Sequence, residues 1–261
     1  MMAKQLAEKK QQQVATIDPT MLIEDAGSAG DVMSSDDLLI PRIRILQALS
    51  PQVIKQKNEY VEGAEAGMIY DNSSNTFYKG DEGINVVPVS YRRCYIEWTN
   101  KRGFVKDHGS DASILDQCVV DGYQHFHGDN SVVTTAEYFV FIIEETGHFP
   151  AMLSMSSSQW RTAKRWNSMI NRLQIPNPNG GSMNPAMFWN MYQLTVVPQS
   201  NDDGAWFGWD VKPVYTADSG GIITNLDRGA EIYLAARDFK KSVLSGDVQV
   251  VQDESPTEEQ F

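Results

Sequence analysis

Residues 136–173 read AEYFVFIIEETGHFPAMLSMSSSQWRTAKRWNSMINRL. The first ten are dominated by aromatic and β-branched side chains without a breaker, and a second apolar run, AMLSMS, follows once Thr146-Gly147 has interrupted the pattern. Two strands joined by a turn fit this composition. After Ser156 the spacing of apolar residues changes from two to between three and four, which predicts a helix from about Ser157 to Leu173 with Ser156 or Ser157 as N-cap. On that helix Ala163, Trp166, Met169, Ile170 and Leu173 fall on one side, and Arg161, Lys164, Arg165 and Arg172 on the other. Trp160 sits between the two faces. Strands followed by one inserted helix decide the class of fold.

Working outward, upstream segments are strand-like. LLIPRIRILQALSP opens the compact region, GMIYDNSSNTFYKG reads as a hairpin around Asp71-Asn72-Ser73-Ser74-Asn75, and GINVVPVSYRRCYIEW as one long strand turning at Asn100-Lys101-Arg102-Gly103 into FVKDHG. Downstream, IPNPNGGSMNP is too rich in Pro and Gly for a helix or a central strand and reads as a loop. Two further strands are joined by Asn201-Asp202-Asp203-Gly204, and a last helix runs from about Asp227 to Leu244, with Ile232, Leu234, Ala235, Phe239 and Val243 near one stripe. The expected fold is mostly β with two helices, a β-rich α+β arrangement. It takes the form of an OB-like barrel or compact β-sandwich with a helix inserted between strands, plus a C-terminal helix. Residues 1–37 have the composition of a flexible arm, 38–245 of a single β-rich domain, and 246–261 of a disordered acidic tail.

The chain of 261 residues is 41% hydrophobic, enough for a core, and carries a formal net charge of −12. It has no apolar run long enough to span a membrane and no apolar signal segment near Met1, so a cytoplasmic protein is expected. Cys94 and Cys118 are the only cysteines, too few for a disulfide framework. The charge is unevenly spread. Residues 1–40 hold three bases and seven acids, and residues 101–150 three bases and eight acids, but from Thr146 to Asn201 there is no Asp or Glu at all. That island keeps the four helix bases, so an anionic partner met by one face is expected.

A second basic and aromatic group lies on the long strand, where Tyr91, Arg92, Arg93, Tyr95 and Trp98 lead into Lys101 and Arg102. Alternation puts Tyr91, Arg93 and Tyr95 on one face and Arg92, Cys94, Ile96 and Trp98 on the other. Cys94 and Ile96 mark the second face as core, leaving the first outward, where bases could stack and a phosphate be neutralised. In the region 188–209, rich in Phe, Tyr and Trp, Trp206 and Trp209 beside Gly204 and Gly208 are expected to be partly exposed. His125 and His127, with His108, His148, Cys118 or Asp129, are the only metal-type grouping, and they read better as loop histidines than as a nuclease site. Phosphate-binding loops, dinucleotide fingerprints and nucleophile elbows are absent, so no catalytic residue, metal or cofactor is expected.

Taken together, the strand Tyr91–Trp98, the inserted helix, the aromatic hairpin Phe188–Trp209 and the acidic end Asp253, Glu254, Glu258, Glu259 and Phe261 resemble, in layout, the single-stranded DNA-binding proteins of lytic phages. The resemblance implies an OB-fold groove that binds single-stranded DNA without sequence preference in replication or recombination. It also implies an acidic tail that regulates access and recruits replication proteins such as polymerase and helicase. The DNA-contacting set would be Tyr91, Arg92, Arg93, Tyr95, Trp98, Lys101, Arg102, Trp160, Arg161, Lys164, Arg165 and Trp206, in a host cytoplasm, with a homo-oligomer left open. The competing reading is a non-enzymatic phage structural or host-interaction protein whose basic helix meets an acidic protein.

Overall fold

The computed structural model describes residues 39–100, 103–202 and 204–246, and the backbone of Gln249–Val250. Lys101, Arg102, the arm 1–37 with Leu38, and the tail residues Asp253, Glu254, Glu258, Glu259 and Phe261 lie outside the described residues. In chain order the elements are β1 (Leu39–Ile40), β2 (Ile43–Ile45), β3 (Ile69–Asp71), β4 (Thr76–Tyr78), β5 (Ile84–Trp98), β6 (Phe104–Asp107), α1 (Ser113–Asp116), β7 (Val119–Asp121), β8 (Gln124–His127), β9 (Asn130–Glu144), β10 (Gly147–Ser156), α2 (Trp160–Arg172), β11 (Ile175–Pro176), β12 (Ser182–Met183), β13 (Tyr192–Asn201), β14 (Gly204–Pro213), α3 (Gly221–Asn225), α4 (Gly229–Ser245) and β15 (Gln249–Val250). The protein is mostly β, with its large sheet curled into a half-barrel, compatible with the OB-like expectation.

Strands β5 and β9 form the spine. They pair antiparallel from Asn85↔Ile143 to Trp98↔Ser131, with one bulge between Pro88 and Ser90. Pro88 has no amide proton to give to a ladder, and a bulge is where a sheet tolerates that loss. Each spine strand divides its outer edge between two neighbours: β5 between β13 and β6, β9 between β10 and β8. The order β14-β13-β5-β9-β8-β7 results.

Both faces of the spine are covered, which is why residues 135–142 are buried without alternation. On one face Tyr138, Val140, Leu153, Leu194 and Trp209 pack with Ile43 and Ile69 from the small sheet β2-β3-β4 and with Ala163 and Trp166 from α2. On the other, Val87, Val89 and Phe141 meet Ile232 and Ala236 of α4 together with Phe188, Met191 and Ile222.

Several expectations need correction. The inserted helix opens as a 3-10 turn over Ser157–Gln159, with Ser156 at the N-cap position but making no side-chain cap bond, and becomes an α-helix only from Trp160. Leu234 of α4 is exposed rather than in the stripe. His125 and His127 belong to strand β8, not to a loop. Within the Pro- and Gly-rich loop, β11 and β12 form a two-residue pairing. Gln249–Val250, expected within the disordered tail, pair in parallel with Leu39–Ile40.

Candidate nucleic-acid interface

The candidate interface is assembled where α2 begins. Gln159, fully buried, accepts the Trp209 amide proton at 2.8 Å through its side-chain oxygen and donates to Gln199 Oε1 at 3.2 Å. The same Gln199 oxygen accepts the Trp206 indole N–H at 3.0 Å. These two glutamines have room only because residue 208 is glycine: a Cβ there would lie 2.2 Å from Gln159 Nε2. Further along the helix, Trp166 stacks on Tyr138 with ring centroids 4.2 Å apart, and the Tyr138 hydroxyl lies 3.0 Å from the Ala163 carbonyl oxygen and 2.9 Å from Asn167 Oδ1. Pinned at both places, α2 holds its basic face at a fixed angle to the sheet.

At this position Trp160 is half-buried beside the strand, with the Arg93 guanidinium 5.3 Å and the Lys164 ammonium 5.6 Å from its ring centroid. Both lie within the range at which a cation is attracted by an indole face. Arg93 is exposed, and hydrogen bonds to the side chains of Tyr91 and Tyr95 push its pKa up, so it stays charged. Arg161 projects into solvent from the same turn. The structure therefore joins the strand and helix groups through Arg93, Trp160 and Lys164, with Arg161 beside them and Trp206 tied to the same helix start.

Other expected members are used elsewhere. Arg92 crosses to the opposite face and binds Glu137, which is 1% exposed, and Asp107 at 3.0 Å. Burial works against its charge, but these carboxylates push its pKa up. Arg165 pairs with Asp210, and Lys212 approaches the same carboxylate at 3.4 Å. Burial would raise the Asp210 pKa, but the bond from Arg165 leaves it lowered. Tyr95 is buried with Ile114 and Val132 under α1, and Tyr91 packs on Tyr138 at 5.2 Å, so the first face of β5 is not the open row the alternation suggested. Trp98 meets Phe104 edge-on at 5.8 Å, and Trp209, expected to be partly exposed, is in the core. The alternation was read correctly, but α2 and α1 both pack against the face expected to be bare.

The metal-type histidines divide as well. His108 Nε2 and His127 Nδ1 bind the two oxygens of Glu97 at 2.8 and 3.1 Å, and Asn130 donates to it at 2.8 Å. His148 instead lies against Phe141 at 4.7 Å. Glu97 was missed in the sequence reading, because only the chain's path brings residues 108, 127 and 130 around it. Among the described residues, Cys94, Asp107 and Glu137 are the one set of three that can each offer a single ligand atom with all of these atoms within 4.8 Å of one another. They do not suit a metal, since Arg92 already neutralises both carboxylates and burial pushes the Cys94 thiol up, keeping it protonated.

Fold and surface define a β-rich α+β protein with a compact group of cations gathered on an aromatic ring. The chain belongs to the Pam3 phage gp34-like protein family, whose match spans residues 9–249. No curated protein and no solved structure matches it.

Proposed function

We propose that this protein binds single-stranded DNA without sequence preference and without catalysis, serving phage DNA replication or recombination in the host cytoplasm. The observation that carries the reading is the convergence of Arg93 and Lys164 on Trp160 within a chain whose net charge is −12. Two cations held beside one ring repel each other, a cost that a bound anion offsets, and phosphate beside an unpaired base supplies both the anion and a ring to stack. The contact set narrows to Arg93, Trp160, Arg161 and Lys164, with Trp206 and Tyr91 at the margin. Membership of a phage-derived family supports the setting. The acidic tail, as in the proteins the layout resembles, regulates access to the strand and recruits replication proteins.

Tryptophan fluorescence during titration with a thymidine oligonucleotide tests this. Quenching is expected in the natural chain, weaker by about tenfold in affinity for Arg93→Glu, since one favourable phosphate contact becomes a repulsive one. Trp160→Phe should remove much of the signal. Unchanged affinity in Arg93→Glu would remove this face from the site. No binding by the natural chain would favour an acidic protein as the partner of the helix.

A further inference from the structure

Strand β7 ends the large sheet and pairs only with β8. Two other outer strands of this sheet, β14 and β10, are covered. On β14 the Gln47 side chain accepts from the Phe207 amide at 2.9 Å and donates to the Phe207 carbonyl at 2.8 Å. On β10 the Met152 amide donates to the Pro41 carbonyl at 2.8 Å. Among the described residues, the backbone of β7 receives no such cover.

The hairpin geometry identifies which groups are open. Asp121 pairs with Gln124 across a two-residue turn whose first residue, Gly122, has φ +58°. In such a turn the closing pair exchanges hydrogen bonds, so the next pair, Val120 and His125, does not, and the Val120 N–H and C=O point away from β8. Around them Val119 is 72% exposed, Val120 59% and Tyr123 fully. Edge strands are ordinarily protected by shortness, charge, proline or a bulge; β7 has no lysine, proline or bulge, and its protection is limited to its three-residue length and Asp121. The charge here is one-sided: residues 107–160 contain no Lys or Arg, while Asp111, Asp116, Asp121 and Asp129 are all exposed.

We propose that the β7 edge takes an extended segment of a partner protein in which apolar residues alternate with Lys or Arg, added to the sheet as a further strand. Backbone bonds to Val120 supply the pairing, Val119, Val120 and Tyr123 the apolar contact, and the aspartates the preference for a basic strand. A second copy of this chain fits less well, because joining two β7 edges would bring two sets of these aspartates together.

The test uses the full chain and two short, end-blocked, fluorescently labelled peptides, one alternating lysine with valine and one glutamate with valine. Only the lysine peptide should bind, and the Val120 amide should become protected from hydrogen exchange. Val120→Pro removes the outward N–H without touching the β8 ladder, so it should weaken binding about tenfold while leaving the circular dichroism spectrum unchanged. Val120→Lys keeps the amide and should weaken the lysine peptide through repulsion alone. Equal binding of the glutamate peptide, no binding of either peptide, or unchanged binding by Val120→Pro would overturn the proposal. So would a concentration-dependent dimer that Val120→Pro dissolves, which would assign the edge to a second copy.

Discussion

Glu97 lies buried with three donors around its carboxylate. Burial alone would raise its pKa, but hydrogen bonds from Asn130, His108 and His127 take it from the ordinary 4.5 down to about 2. A carboxyl with a depressed pKa in the folded protein contributes stability that is complete above its ordinary value and is lost as pH falls through the depressed one. The natural chain should therefore lose roughly 1–2 kcal/mol from this group between about pH 4.5 and pH 2, after allowance for solvent screening. Urea unfolding over that range checks it: Glu97→Gln should flatten that part of the profile, and a profile identical to the natural chain's would show that the cluster does not act as described. Arg92 and Arg93 show at the same scale how one step along a strand separates a structural cation from one available to a ligand. Alternation sends the first to the buried Glu137 and the second to Trp160.

Among the elements, α2 carries the proposed site, and its placement depends less on its own sequence than on the hairpin β13–β14. With no side-chain cap at its start, the helix is fixed by Gln159 bonding to Trp209 and Gln199. Gly208 makes room for both glutamines, so Gly208→Ala should push them apart, lowering stability by about 1–3 kcal/mol and changing the near-ultraviolet signal of Trp206. Thermal melting monitored by near-ultraviolet circular dichroism would show this, and an unaltered melting point would mean that the glutamine contact is dispensable. The length of β5 and β9 is equally consequential. A strand of nine residues from Ile84 would end before Arg93, whereas these two carry the spine past the core and bring Arg93 level with the start of α2.

Over the whole molecule, charge is separated into a base-free region, residues 107–160, and an acid-free one, residues 146–201. If Arg93, Arg161 and Lys164 each neutralise a phosphate, the logarithm of affinity for single-stranded DNA should fall with the logarithm of salt with a slope of about −2. A slope near zero would show that the cations make no phosphate contact. This separation, the mostly β composition, the inserted helix with its basic face and the alternation along β5 were all legible in the amino-acid sequence. Each depends on residue type and on periods of two or 3.6, which are local properties. Whether a face is bare was not legible. Tyr95 lies under α1, Arg92 and Arg165 are held by Glu137 and Asp210, and Glu97 gathers two histidines because distant segments pack there. Burial and ion pairing are contacts between residues far apart in the chain, and only the tertiary structure decides which segments meet.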